Sequence, residues 1–273
     1  MPDPKQLPYL IRLLDDDSHA VRESVLHELA LFGPSLEQEI ARLPAAPDAA
    51  QMQVLRGLLA QHAKTRLLDA WPTLFQLNDD KKKLEAALTL LAEFQHGQYY
   101  PSNLSSLLDA LSMEYTASAA KRDPRNLSHF LFDLKQLRGA KTDYYDPSNS
   151  NLVSVIEQKR GIPISLACIY ILVGNRLGLV IEGCNFPGHF LALAEGKGDT
   201  FIVDCFNAGR FLDEHDLAEL HVRKEEMMQL KCDSPAIIAR VLRNLIHAYD
   251  QQNDNANAQL MAELLRILEK ERS

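Results

Sequence analysis

The stretch from Pro163 to Gly174, PISLACIYILVG, carries no charge, and Arg176 is the first ionic residue after it. Such a run predicts a helix that is apolar on every side, and a helix of that kind has to be wrapped by other elements. Proline at its start suits the first helical turn, because its fixed φ is already helical and its missing N–H would have had no partner there. Three shorter runs follow with strand character: Leu179 to Cys184, His189 to Ala194 and Thr200 to Cys205. The last two are separated by the turn-forming Glu195-Gly196-Lys197-Gly198-Asp199. A buried helix followed by an antiparallel hairpin is an α+β core.

The chain before this core reads as all-α. Leu7, Leu10, Leu13 and Leu14 mark one apolar stripe, Asp15-Asp16-Asp17-Ser18 breaks it, and Val21, Val25, Leu29 and Phe32 mark a second that ends at Gly33-Pro34. The same logic returns with Trp71 to Leu77, an acidic turn at Asn78-Asp79-Asp80, then Leu84, Leu88, Leu91 and Phe94 before Gly97. The offset leaves room for a middle unit at roughly 40 to 65. The segment LLDDDSHAVRESVLHELALFG resembles a HEAT-type repeat, with the aspartates capping the second helix and Val21-Arg22 opening it. An irregular helical bundle is the other arrangement this pattern allows. The run Asp79 to Lys83 fits a solvated turn at a helix start, where an acid serves as N-cap.

Near Ala140 the character changes. A helix around Leu127 to Leu137 gives way to the polar, aromatic loop Lys141 to Ser150; helical spacing resumes at Leu152, Val155 and Ile156 and stops at Lys159-Arg160-Gly161. Beyond Pro235 two amphipathic helices run through Ile238, Leu242, Leu245 and Tyr249, and through Leu260, Leu264, Leu265 and Leu268. The expected organisation is a helical-repeat domain over 1–115, an α+β core over 116–232 and a helical hairpin over 233–273.

A net charge of −8 argues against nucleic acid or an anionic membrane as partner, since either needs a cationic face. The start, MPDPKQLPYL, has no basic stretch leading into an apolar run, and no apolar run is long enough to span a bilayer. A soluble, cytoplasmic protein with a protein or peptide partner is the expectation. Cys168, Cys184, Cys205 and Cys232 show no CxxC spacing, so reduced thiols are expected, with neither a cofactor nor a metal site.

A buried helix start followed by strands carrying His189 and Asp204 is the layout of thiol acyl-transfer enzymes. There a cysteine at a helix N-terminus is held as thiolate, a histidine on a neighbouring strand moves the proton, and a carboxylate on the next strand orients the ring. Four ordered blocks carry a closer likeness: Tyr144-Tyr145-Asp146-Pro147 with Asn149-Ser150; Arg160-Gly161-Ile162-Pro163-Ile164-Ser165-Leu166-Ala167; Phe186-Pro187-Gly188-His189-Phe190-Leu191; and Asp204-Cys205-Phe206-Asn207-Ala208-Gly209. Together they resemble the bacterial SirB-type branch of the transglutaminase-like superfamily. The chain departs from that pattern at Cys205, where proline is usual in the branch.

The resemblance implies a papain-like fold with His189 and Asp204 on the catalytic His and Asp positions. It also implies a gap. Catalytic members carry Gly-x-Cys-x-x-x-Ala at the helix start, whereas here Gly161 and Ala167 bracket Pro163, which has neither a nucleophilic atom nor an N–H. Cys168 would point about 140° away from the nucleophile's direction and Ser165 about 200° away, the latter better placed to satisfy first-turn N–H groups. The leading expectation is a degenerate site that recognises a peptide or acyl-like ligand. Tyr145, Asn149, Pro163, Ser165, Cys184, Gly188, Cys205 and Asn207 would line it. The rival is a cysteine-dependent acyl transferase or peptidase using Cys184 or Cys205 with His189 and Asp204. Read without the resemblance, His189 and Asp204 are also a hydrogen-bonded pair that pins two strands.

Overall fold

A computed structural model describes residues 2–97, 100–118, 121–196 and 198–272, so Lys197 of the expected turn lies outside the described residues. The chain divides into two compact units, Met1–Ala70 with His96–Pro101 and Trp71–Gln95 with Ser102–Ser273.

The first unit is helical: α1 (Leu7–Arg12), α2 (His19–Ala30), α3 (Leu36–Ala41) and α4 (Ala49–Ala70), with 3-10 turns after α1 and before α3. In its core Leu7, Ile11 and Leu14 meet Val25, Leu29, Phe32, Leu36 and Leu55, so the second expected stripe is largely kept while in the first Ile11 takes the buried place and Leu13 is exposed. The acidic break works differently from a side-chain cap. Ser18 is the N-cap of α2 and makes no side-chain bond there. Asp16 instead accepts the Ser18 N–H at 2.8 Å, and its carbonyl accepts Arg22 Nη1 at 2.6 Å, folding the turn back on the helix.

The second unit begins with a 3-10 turn, Trp71–Gln76, and α5 (Asp80–His96), whose start Asp79 caps through Lys82 N–H at 2.9 Å. Then come α6 (Leu104–Ser118), α7 (Pro124–Ser128) running into a π-helical turn at His129–Leu134, and β1 (Arg138–Gly139). Residue 115, the expected end of the repeat domain, sits inside α6 in this unit. Next are α8 (Leu152–Gln158), β2 (Arg160–Gly161), paired parallel with β1, and α9 (Pro163–Arg176). Strands β3 (Ile181–Cys184), β4 (Leu191–Glu195), β5 (Thr200–Asp204) and β6 (Arg210–Leu212) follow. The chain continues through α10 (Glu214–Glu219), α11 (Lys224–Gln229), β7 (Lys231–Cys232), α12 (Ser234–Gln251) and α13 (Asn255–Lys270). The sheet is antiparallel throughout, in the order β6-β5-β4-β3-β7.

Every residue of α9 from Pro163 to Gly174 is buried, with β3 and β4 on one side and α6, α7, α8 and α12 around the rest. Residues opposite each other across the ladder share a face. Register therefore puts Ile181, Gly183, Ala192 and Ala194 on one side, and Ile181 lies directly against Gly174 of α9. Small side chains there let the helix approach closely. The other face, Cys184, Leu191, Leu193 and Ile202, packs under Leu217 of α10 and Met227 of α11. A sheet covered on both faces needs no alternation of polar residues, which is why β4 reads as a continuous apolar run.

Where α9 emerges, Arg176 ties it down. Its guanidinium takes Glu85 of α5 in a two-pronged pair at 2.6 and 2.8 Å, and its Nε donates to Asp109 of α6 at 2.6 Å. A cation at a helix C-terminus also meets the favourable end of the helix dipole. Removing it leaves two carboxylates without their partner. Arg176→Met should lower unfolding free energy by about 2–4 kcal/mol in urea denaturation, with Glu85→Gln costing less.

Candidate functional site

Asp204, the last residue of β5, is nearly buried and its carboxylate is fully engaged. Oδ1 accepts the backbone N–H groups of Phe206 and Asn207, both at 3.1 Å, and Oδ2 accepts Asn207 Nδ2 at 2.7 Å. The Asp-x-Phe-Asn order is what allows this, since a carboxylate at the end of a strand can cap the turn that follows it. His189 Nε2 stands 3.0 Å from the same Oδ1, with its ring a quarter exposed. Its N–H does not aim along that line, so Nε2 is close to the carboxylate but lacks a directed hydrogen bond. Among the described residues Nδ1 has no hydrogen-bond partner.

Burial raises the Asp204 pKa, while the His189 contact and the Asn207 donors lower it; the donors win and the carboxyl sits below its ordinary value.

The turn that delivers His189 is tight: Phe186 N–H bonds back to the Cys184 carbonyl at 2.9 Å, His189 N–H to Phe186 at 3.2 Å, and Gly188 has φ +75°. The turn beyond Asp204 is tighter still. Gly209 has φ +67°, its carbonyl accepts Ser128 Oγ at 2.8 Å, and a Cβ there would lie 2.2 Å from both Ser128 Oγ and the Phe132 ring.

Pro163 opens α9 behind an extended Ile162. Asn149 builds its surroundings: the carbonyl of Asn149 accepts Ile162 N–H at 3.3 Å and Ser165 Oγ at 2.7 Å, and its side-chain amide donates to the Asp143 carbonyl at 2.7 Å. Ser165 was expected to satisfy first-turn N–H groups. It is buried, and its one hydroxyl proton lies instead between the carbonyls of Asn149 and Ile162.

Aromatic rings link the two halves of the site. Phe206 meets His189 edge-on with centroids 6.2 Å apart, Tyr144 meets Phe206 at 6.2 Å, Tyr145 meets Tyr144 at 5.2 Å, and His247 of α12 meets Tyr145 at 4.7 Å. Phe206 can lie flat here because it covers Gly139 of β1, where a Cβ would clash with its ring. Of the residues singled out in the sequence, His189, Asp204 and Asn207 converge, as do Asn149, Pro163 and Ser165, and Tyr145 joins through the ring file.

The cysteines are held elsewhere. Cys184 is fully buried in the core beneath α10 and α11, with Sγ 3.5 Å from the Met227 carbonyl. Cys205 is fully buried on the side of α9, within electrostatic reach of Cys168 and Tyr170. Burial pushes the thiols of Cys184 and Cys232 up to about 12 and those of Cys168 and Cys205 well above their ordinary value.

Phe206, Asn185 and Arg240 complete the site and were not singled out as site residues. Arg240 Nη1 donates to Asn185 Oδ1 at 3.1 Å, and its charge reaches the Tyr144 phenol, opposing the upward push of burial and Tyr145. The one signal was a cation beside the apolar stripe of α12, seven residues before His247 and so on the same face.

The family model described as the transglutaminase-like superfamily matches residues 98–243, spanning the helix, the sheet and both halves of this site. The chain belongs to that superfamily. A UPF0162 protein of Xylella fastidiosa (strain 9a5c) is 33% identical over 206 residues, 68% of this chain and 72% of that protein. This transglutaminase-like chain is also 32% identical over 112 residues to a UPF0162 protein of Vibrio cholerae, 38% of this chain and 41% of that one. F-box only protein 21 of Mus musculus is 34% identical over 94 residues, 32% of this chain but 15% of that protein. No solved structure matches the chain.

Two predictions follow from this geometry. Because Asp204 titrates lower folded than unfolded, its stabilisation is complete above the unfolded carboxylate range, about 4, and is lost as pH falls through the depressed folded value. In urea titrations between pH 2 and 6, Asp204→Asn should flatten the acid limb of stability relative to the parent. Gly209→Ala should cost about 2–4 kcal/mol, combining a left-handed backbone with overpacking. Gly178→Ala has φ +72° but open space around the new Cβ, and should cost only about 1 kcal/mol in the same assay.

Proposed function

We propose that this protein is a non-catalytic transglutaminase-like recognition module that works in the cytoplasm, with a SirB-type core carrying a degenerate Cys-His-Asp site. The cleft at His189 and Asp204 receives a peptide segment without transforming it. The N-terminal helices form a HEAT-like stack that offers a second surface to a protein partner. The observation that carries the reading is Pro163 at the first position of α9. A proline there supplies neither thiolate nor backbone N–H, so the orienting carboxylate and the imidazole have nothing to activate. Support also comes from the thiols, since buried cysteines with raised pKa values are inert as nucleophiles at neutral pH.

The rival reading, an acyl transferase or peptidase using Cys184 or Cys205, needs a thiolate beside the imidazole. A single pair of variants separates the two. Pro163→Cys puts a thiol at a helix N-terminus, and thiolate ultraviolet absorbance should report a pKa below that of a free thiol, returning upward in Pro163→Cys with His189→Ala. The parent's four native thiols should titrate only at strongly alkaline pH. An ordinary thiol pKa in Pro163→Cys, unmoved by His189, would remove position 163 as the nucleophile's seat. A parent thiol titrating near neutrality with dependence on His189 would establish the enzyme instead.

A further inference from the structure

Resting on the reading of the cleft as a peptide-recognition site, we infer that Arg240 is its anion-binding residue and that the peptide it takes presents a carboxylate beside an apolar side chain. Three observations converge on the guanidinium. It is half-buried on α12, its Nη1 is held by Asn185 Oδ1 at 3.1 Å, and its charge acts on the Tyr144 phenol. Asn185 belongs to the same short turn that delivers His189, and Tyr144 belongs to the ring file that ends on His189 through Phe206. The cation is therefore held at the turn by Asn185, with the Tyr144 phenol within reach of its charge.

Arg240 differs from most fixed arginines of this unit, although Arg125, stacked over the Phe201 and Phe211 rings, likewise has no carboxylate partner among the described residues. Arg176 is paired with Glu85 and Asp109, Arg210 with Asp216, Arg243 with Glu269 and Arg272 with Asp233. Among the described residues Arg240 has no carboxylate within ion-pair range and keeps one neutral acceptor, which orients the fork while leaving its charge uncompensated. The carboxylates of the loop and strand end that build the site have partners of their own: Asp204 has His189 and three N–H donors, and Asp146 has the Ser148 N–H. In a chain of net charge −8, an oriented and unpaired arginine against exposed Tyr144 and Tyr145 has the complementarity for a carboxylate flanked by an aromatic or aliphatic residue.

The carboxylate can come from a Glu or Asp side chain or from a chain terminus, and the test distinguishes them. Unlabelled, N-acetylated hexapeptides with a central Phe-Glu, the same with Phe-Gln, and each with a free or amidated C-terminus are titrated against the full chain by isothermal titration calorimetry. The proteins are the parent, Arg240→Met, Arg240→Lys and Tyr145→Ala, each checked by circular dichroism. The inference expects carboxylate-bearing peptides to bind the parent and to weaken by about tenfold or more in Arg240→Met. Arg240→Lys should recover part of that loss, and Tyr145→Ala should weaken all bound peptides alike. Binding of amidated Phe-Glu identifies an internal acidic residue; binding confined to free-acid peptides identifies a terminus. If Phe-Gln amide binds as well as the acidic peptides and Arg240→Met changes nothing while Tyr145→Ala abolishes binding, the cleft recognises peptides but Arg240 does not read charge. If no peptide binds the parent, the recognition reading fails with it.

Discussion

The desolvation of α9 is the constraint from which the second unit is built. Twelve consecutive buried residues, Pro163 to Gly174, leave no side of the helix for water. Each large aliphatic side chain among them contributes about 1.5–3 kcal/mol when removed from water, but only if something covers it. The chain supplies a different cover on each side: a sheet against which Gly174 lets the helix approach Ile181 closely, and helices on the others. Polar clamps hold the helix at Arg176 on one end and at the Asn149–Ser165–Ile162 knot on the other, and between them the Tyr170 hydroxyl donates to the Pro124 carbonyl at 2.8 Å.

The site lies where the jacket opens. A helix start, two strand ends and one loop have to meet there, and each brings backbone groups that need partners. Asp204 caps the turn after its own strand and also sits against His189, so one carboxylate closes a turn and fixes a ring. The same turn sends Phe206 over Gly139, where it joins His189 to Tyr144. The His189–Asp204 pair is therefore also part of the local packing.

Much of this was legible along the chain. The helix from Pro163, the three main strands, the stop at Lys159 (φ +59°) and the two closing helices all rest on periodicity or on a cap, and both are local signals. The edge strands β6 and β7, the β1–β2 pair and the short helices α10 and α11 were not anticipated. Elements of two to six residues are too brief to show a period and exist only because a partner strand or a core is waiting for them. His189 and Asp204 could be named from their spacing and from the blocks around them. The side to which Cys184 and Cys205 turn could not, because strand alternation assigns a face only once the register and the covering layers are known. Arg240 and Asn185 lie 55 residues apart, and nothing local links an arginine beside an apolar stripe to an amide after a strand.

Sequence alone determined that this chain must bury one uncharged helix, open it with a proline, and follow it with a hairpin. Those are properties of consecutive residues and their hydrophobic pattern. The tertiary structure alone decided that three of the four thiols are fully buried and Cys232 half-buried, that Asp204 is saturated by its own turn, and that Arg240 is left, among the described residues, without a carboxylate partner. Burial and charge pairing depend on which distant residues arrive at the same place, and that is settled only when the layers close around α9.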